Sequence, residues 1–414
     1  MYKLFAAIIV LLLSGCAAQQ HDNNRLAESL QFQPPTIILQ QLQKTKPASR
    51  DKVQFQLNVG YLQFITGDFT SAITTLNNAK KEMAALSATS ITENVGAGAV
   101  SETLRQYSGY PTDRVMVHNI LALSYLFSNQ IYDARVEILQ SELAMKALTK
   151  DDLKNGQLAS ADLLGGITYE LLGEYSNALI SYKNAADMLD KRGITFPLGL
   201  KQALLRVSYK LGATQQYRGY QQQFPTLPLP SNSVDKQVFV LYFDGVVSHK
   251  IETSVIVPSS NVQQIIRISM PAYPNNNKPF NYIQISDNKQ STTSEVIEDV
   301  DLLVRDDLAK DYPSILLLTS TRAIAKYQLV REAQKQDPLV GFLVNLMTVI
   351  SENADLRSWN MLPASIQFAY LNPTDNKVII HNSNGWQQKV DISSGRQHVL
   401  LVNAVSNNVF HYQQ

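Results

Sequence analysis

The sequence predicts an α+β chain of two domains: an N-terminal array of helical hairpins, then a C-terminal β-sandwich carrying a helical insertion. Three observations predict it. Apolar residues recur with helical period from residue 51 to about 224. Beyond residue 236 the period changes to alternation, as in half-buried strands. Between them stands a linker, 225–235, in which Leu-Pro-Leu-Pro (227–230) precedes Ser231, Asn232 and Ser233. A chain of 414 residues with 45% hydrophobic content has enough material for two cores. Basic and acidic residues nearly cancel, 36 against 35, and no like-charged run stands out. The basic stripe that nucleic-acid binding requires is therefore missing.

Residues 1–15 form a signal. Lys3 supplies the positive start, and Leu4 to Leu13 is an apolar run too short to span a bilayer, which takes about 20 residues. Leu13-Ser14-Gly15-Cys16 resembles the bacterial lipobox, in which the cysteine is acylated and becomes the first residue of the mature chain. Cys16 is the chain's one cysteine, so no internal disulfide is available. The alternative is an ordinary signal peptide or a short anchor that happens to contain a cysteine, but stable anchoring needs more than one acyl chain, and the motif supplies them. Ala17, where an aspartate would resemble an inner-membrane retention signal, places the expected anchor in the periplasmic leaflet of the outer membrane. Residues 16–50 are rich in Gln and Asn, with Pro34, Pro35 and Pro47, and read as a tether with short helical pieces.

From 51 to 224 one pattern repeats. Gly166, Tyr169, Gly173, Ala178, Tyr182 and Ala185 match the spacing of a tetratricopeptide repeat. Gly60, Gly67, Ala72, Leu76 and Ala79 stand at the same offsets, and Ala122, Tyr125, Ala134 and Ile138 repeat it more loosely. Small residues let antiparallel helices approach closely, and larger ones fill the space between hairpins. A fourth pair is expected over 198–224, with Gly212 at its break, and insertions near 88–112 and 145–157 stretch the period. The alternative is a generic helical bundle.

The first helix of each repeat turns one face towards an inner groove. That face includes Gln54, Leu57, Tyr61 and Phe64, then Asn119, Leu123 and Leu126, then Leu163, Ile167 and Glu170. It is mostly apolar, so it should not stay empty in water. A partner's helix, or the chain's own TIILQQL segment, is the expected occupant. Packing of these residues between hairpins is the other reading.

Over 236–414 the strands are QVFVLYFDG, VVSHKIETSVIVP, QQIIRISMPAY, FNYIQIS, SIQFAYL, KVIIHNSNGW, QKVDISSG, HVLLVNAV and VFHYQQ. Asp244-Gly245, Asn384-Gly385 and Ser394-Gly395 supply turns, and the first is expected to close a hairpin. Eight or nine short strands at this spacing suggest a β-sandwich. Residues from about 294 to 359 are a helical insertion, with Pro313 and Pro338 at first-turn positions. Its run LVGFLVNLM is apolar nearly all round and is expected to bury against the sandwich; a membrane-touching helix is the alternative.

No catalytic or metal constellation emerges from the sequence. The six histidines form no HExxH or paired set, and there is no P-loop, G-x-S-x-G or G-x-G-x-x-G. Asp306-Asp307 beside Lys310 reads as a solvated helix face. His249 and Lys250 could meet a ligand, but read first as surface strand residues. The expectation is a protein that is not an enzyme, with no cofactor and no metal.

DRVMVHNILALSYLFSNQIYDARVE (113–137) and NADLRSWNMLPASIQFA (353–369) resemble an uncharacterised family of Gram-negative outer-membrane lipoproteins with tetratricopeptide-like helices and a C-terminal β domain. The resemblance implies a lipid-anchored periplasmic scaffold whose partners are unknown envelope proteins. The alternative it implies is an activator or accessory factor of peptidoglycan or envelope-polymer synthesis. Arg357 and Trp359 either pin the return from the insertion to the sandwich, the preferred reading, or form a partner-binding hot spot.

Overall fold

The structure, a computed structural model, describes residues 20, 22–93, 105–148, 156–228, 236–259, 264–275, 279–350 and 352–414. Cys16 and the signal 1–15 lie outside the described residues, as do 94–104, 149–155 and 229–235.

Four helical hairpins form the array: α3 (Lys52–Ile65) with α4 (Phe69–Glu93), α5 (Pro111–Phe127) with α6 (Ile131–Leu148), α7 (Ala159–Leu171) with α8 (Tyr175–Lys191), and α9 (Leu198–Leu211) with α10 (Thr214–Gln223). Gly67, Gly173 and Gly212 adopt left-handed φ of 86°, 73° and 72° at three of the breaks. At the helix crossings glycine is needed for closeness instead. A Cβ on Gly60 would stand 2.6 Å from Leu76, and one on Gly166 would stand 2.4 Å from the Tyr182 ring. The small-residue positions of the repeat pattern are thus close helix contacts, as the tetratricopeptide-like reading requires.

Ahead of the array, residues 22–29 form α1 and Pro35–Gln43 form α2. These segments were expected to be a tether, and they are instead a docked strap. Ala27, Leu30, Ile38 and Leu42 are each at most 1% exposed, and α2 packs on α3. Asn24 Nδ2 donates to the Lys250 carbonyl at 3.1 Å, and Gln20 Oε1 accepts from the Leu356 amide at 3.1 Å. The short apolar pieces within a Gln-rich stretch bury more surface when docked than an extended chain would.

The β region contains a five-stranded sheet in the order β11-β10-β1-β7-β6: Val409–Gln413, Gln397–Asn403, Gln237–Asp244, Ser365–Leu371 and Glu295–Asp299. β1 runs parallel to β10 and antiparallel to β7. A four-stranded sheet, β5-β4-β8-β9, is built from Ser291–Thr293, Ile283–Ser286, Lys377–Asn382 and Gln387–Asp391. β1 is buried along its whole length because both of its faces are covered. Val238, Val240 and Tyr242 join Ile285, Val378 and Ile380 in a core between the two sheets. Phe239, Leu241 and Phe243 face the other way and share one core with the helical array. The chain therefore stacks helices, sheet and sheet in three layers, and one apolar core runs through the junction of its two halves.

Four expectations for this half change. The Asp244-Gly245 turn closes no hairpin with the following strand, because β2 (Ile251–Ser259) pairs with β3 (Gln264–Ala272) in a sheet of their own. The first third of the insertion's opening segment is strand β6, which extends the main sheet before the helices begin. Pro313 lies inside α11 (Val300–Gln336), a helix of 37 residues, rather than at a start. Pro338 does open a helix, α12 (Pro338–Ile350). α11, α12 and the β2–β3 hairpin pack on one another as an arm. The LVGFLVNLM run of α12 is not buried on the sheets: Leu339, Phe342 and Leu346 are 65%, 61% and 46% exposed.

Candidate functional site

The residues expected to form a partner groove are brought together, but the same chain has already filled the space. Gln54, Tyr61, Phe64, Asn119, Leu126 and Glu170 are each at most 3% exposed. Gln54 Nε2 donates to the Ser358 carbonyl at 2.7 Å, and Asn58 Nδ2 donates to Asn360 Oδ1 at 2.9 Å. Tyr61 meets Trp359 edge-on, with ring centroids 6.5 Å apart, and Phe64 packs against Phe243 and Phe410. On this face the occupant belongs to the chain itself. It is the loop around 357–362, together with β1 and β11. Deeper in the array, Asn119 accepts from Ser141 Oγ at 3.3 Å. Glu170 is gripped by Arg206 through two hydrogen bonds of 2.8 Å. The sequence revealed an apolar face needing a cover, but the cover lies some 300 residues away in the chain.

Arg357 and Trp359 are 2% and 1% exposed, which overturns the hot-spot reading. The Arg357 guanidinium reaches Asp355 through Nε at 2.9 Å and Nη2 at 2.6 Å. Its Nη1 reaches Asp51 Oδ1 at 3.2 Å and the carbonyls of Arg50 and Arg105 at 3.1 and 2.8 Å. Burial opposes its charge, but Asp355 and Asp51 more than compensate and hold its pKa above the ordinary arginine range. The residue ties the strap end, the array and the β region together.

Beside it lies a cluster that the sequence did not reveal. Lys250, read as a surface strand residue, is 1% exposed. Its Nζ donates to the Arg357 carbonyl at 3.0 Å and stands 4.0 Å above the Tyr110 ring. Burial pushes its pKa down to about 8, against the pull of Asp355 and Asp113. Asp307, expected on a solvated face, is 2% exposed and accepts from the Thr112 amide at 3.1 Å. Burial pushes its carboxyl up to about 7. Asp113 completes a capping box by accepting from the Tyr110 amide at 2.9 Å, which starts α5. The Thr112–Asp307 bond thus links the start of α5 to α11 across the junction. His249 lies outside the cluster, with Nε2 3.0 Å from Glu28 of the strap.

Open surface of binding shape lies elsewhere. A cleft of about 1160 Å³ runs between the strap's 30–35 turn, the start of α11 and the edges of both sheets. Phe32, Phe280 and Trp386 line it together with Asp244, Asp301 and Asn384. Its carboxylates are committed to the fold. Asp244 accepts from the Asn281 amide at 2.8 Å, and Asp301 accepts from the Ser248 amide at 2.6 Å and from Arg305. What remains available is aromatic faces beside amide groups. Among the described residues, no three His, Cys, Asp or Glu side chains group as metal ligands.

No family model matches the chain, and no curated protein matches it. Solved structures with similar parts include the apo form of RapI, at 19% identity and a TM-score of 0.32, covering 46% of this chain and 45% of that one. BtubC from P. vanneervenii matches at 17% identity and a TM-score of 0.30, over 52% of this chain and 80% of its own. A Rap protein complexed with competence and sporulation factor matches at 13% identity and a TM-score of 0.29, covering 50% of each chain. The chain thus spans about half the length of the Rap proteins it matches.

Proposed function

We propose that this chain is a lipid-anchored, non-enzymatic interaction scaffold of the outer membrane, facing the periplasm. The observation that carries this reading is where the strap ends. Gln20 is seated on Leu356 at the junction of the two halves, and Cys16 is four residues earlier. Four extended residues reach at most about 14 Å, so an acylated Cys16 would hold the rigid body close against the membrane. The strap then works as a mount and not as a long tether. Binding falls to the surfaces left open, the cleft and the arm, because the inner groove is already filled.

The second reading is an accessory factor of envelope-polymer synthesis, and the cleft favours it. Aromatic faces flanked by amides are groups that hold sugar rings and their hydroxyls. Crosslinking of the acylated protein in cells separates the two readings. Capture of outer-membrane proteins alone supports the plain scaffold and sinks the accessory-factor reading. Capture of a glycan synthase does the reverse.

A further inference from the structure

The arm turns apolar side chains outward and polar ones inward. In β2–β3 one face carries Thr253, Val255, Ile268 and Met270, and the other carries Ser254, Ser269 and the Glu252–Arg267 ion pair together with Ile256 and Ile265. In a water-soluble hairpin the apolar side chains would be the covered ones. Here Ser269 is 1% exposed and donates to the Glu352 carbonyl at 3.3 Å, while Val255, Ile256 and Ile265 are 50%, 60% and 47% exposed.

The helices repeat the inversion. Between Asp311 and Arg331 the charged residues of α11 are Arg322 and Lys326. Both turn inward to Glu352, at 3.2 and 2.6 Å. Outward on α11 stand Leu317, Ile324 and Leu329, 68%, 60% and 59% exposed; on α12 stand Phe342 and Leu346. At one position the outer edge of β3 is also satisfied from within: Asn345 accepts from the Ile265 amide at 3.1 Å and donates to the Ile265 carbonyl at 2.9 Å.

Paired charges inside and apolar side chains outside are what a non-aqueous surrounding selects. We propose that this arm is a bilayer-insertion element whose outer surface meets the acyl chains of a phospholipid membrane. Its dimensions fit. The stretch of α11 from Asp311 to Arg331 is roughly 30 Å long, and nine-residue strands reach about the same, which is the thickness of the hydrocarbon layer. Among the described residues no helix is long and apolar enough to cross a membrane, so the arm meets the bilayer through the outward apolar side chains of several elements rather than by one spanning helix. Apolar surface is carried by the hairpin as well as by both helices. The arm's root, Glu352 to Leu356, is where Gln20 sits, and to that extent the choice of a bilayer rests on the lipid-anchored reading.

The test places a reporter on the arm of the full chain. The native tryptophans, Trp359 and Trp386, belong to the body and give the background. Phe342→Trp protein is purified from envelopes and reconstituted into phosphatidylethanolamine–phosphatidylglycerol vesicles with brominated acyl chains. The added indole emission is expected to shift blue and to fall at least twofold, while the parent protein is unchanged. Leu317→Trp should behave in the same way. Protein that floats with the vesicles but keeps a full, unshifted signal overturns the proposal. So does an indole that is already blue-shifted without lipid in a sedimenting oligomer, which would assign the arm to self-association. Mass spectrometry of Cys16 reports the anchor separately. An acylated Cys16 with an unquenched arm sinks this inference alone, and quenching with an unmodified Cys16 sinks only the anchor.

Discussion

Arg357 and Asp51, 306 positions apart in the chain, form a buried ion pair at 3.2 Å. The same guanidinium holds Asp355, so one side chain neutralises two carboxylates at the point where strap, array and sheets meet. Arg357→Met leaves both carboxylates without their counter-charge and should cost about 3–5 kcal/mol. Arg357→Lys keeps the charge but cannot present a planar fork to acceptors on several sides, so it should recover only part of the loss. Urea unfolding midpoints measure both. A wild-type midpoint for Arg357→Met would show that the pair does not hold the halves together.

Gly166→Ala tests the close helix crossing. The added methyl would stand 2.4 Å from the Tyr182 ring, which is fully buried and donates to Glu170 at 3.1 Å. Moving the ring disturbs both packing and that hydrogen bond, at about 1–3 kcal/mol or more. Gly173→Ala has open space around it but a φ of 73°, so its smaller cost is one of backbone alone. Thermal melts should rank Gly166→Ala as the less stable of the two.

Asp162 should make stability depend on pH. Burial first, then the Glu142 charge, pushes its carboxyl up to about 8, and the side chain is 4% exposed. A carboxyl with a folded pKa above its unfolded value contributes stability that is complete below about pH 4 and is lost as pH rises to about 8. Asp162→Asn stays neutral throughout. Its stability relative to wild type should therefore climb between pH 5 and 8, by up to about 1.4 kcal/mol per pH unit, and level off above. A difference independent of pH would mean that Asp162 does not titrate in this window.

Removing the strap, residues 22–43, should expose the apolar surface now under Leu30, Ile38 and Leu42. Hydrophobic-dye fluorescence should rise and the melting temperature should fall. An unchanged dye signal would mean that the strap is not part of the core.

The repeat pattern was legible because it is local. Gly60, Gly166 and Gly212 announce crossings and breaks through contacts within one hairpin, and the strands are readable from alternation along each segment. Partners in the chain's middle distance were not legible. Nothing local in Asp244-Gly245 says that the next strand leaves the sheet. Nothing in β1 says that it will lie beside β10, 160 residues on.

By itself the sequence determined the α+β order, the helical repeats, the strand segments and the position of Cys16 behind a signal-like run. The tertiary structure decided what covers each apolar face. It filled the array's groove with the 357–362 loop, folded the supposed tether into a strap, buried Lys250 and Arg357, and left the arm's apolar side outward. The reason is physical. Secondary structure follows the period of apolar residues along the chain, but apolar burial is non-directional and takes whichever surface the whole fold brings near.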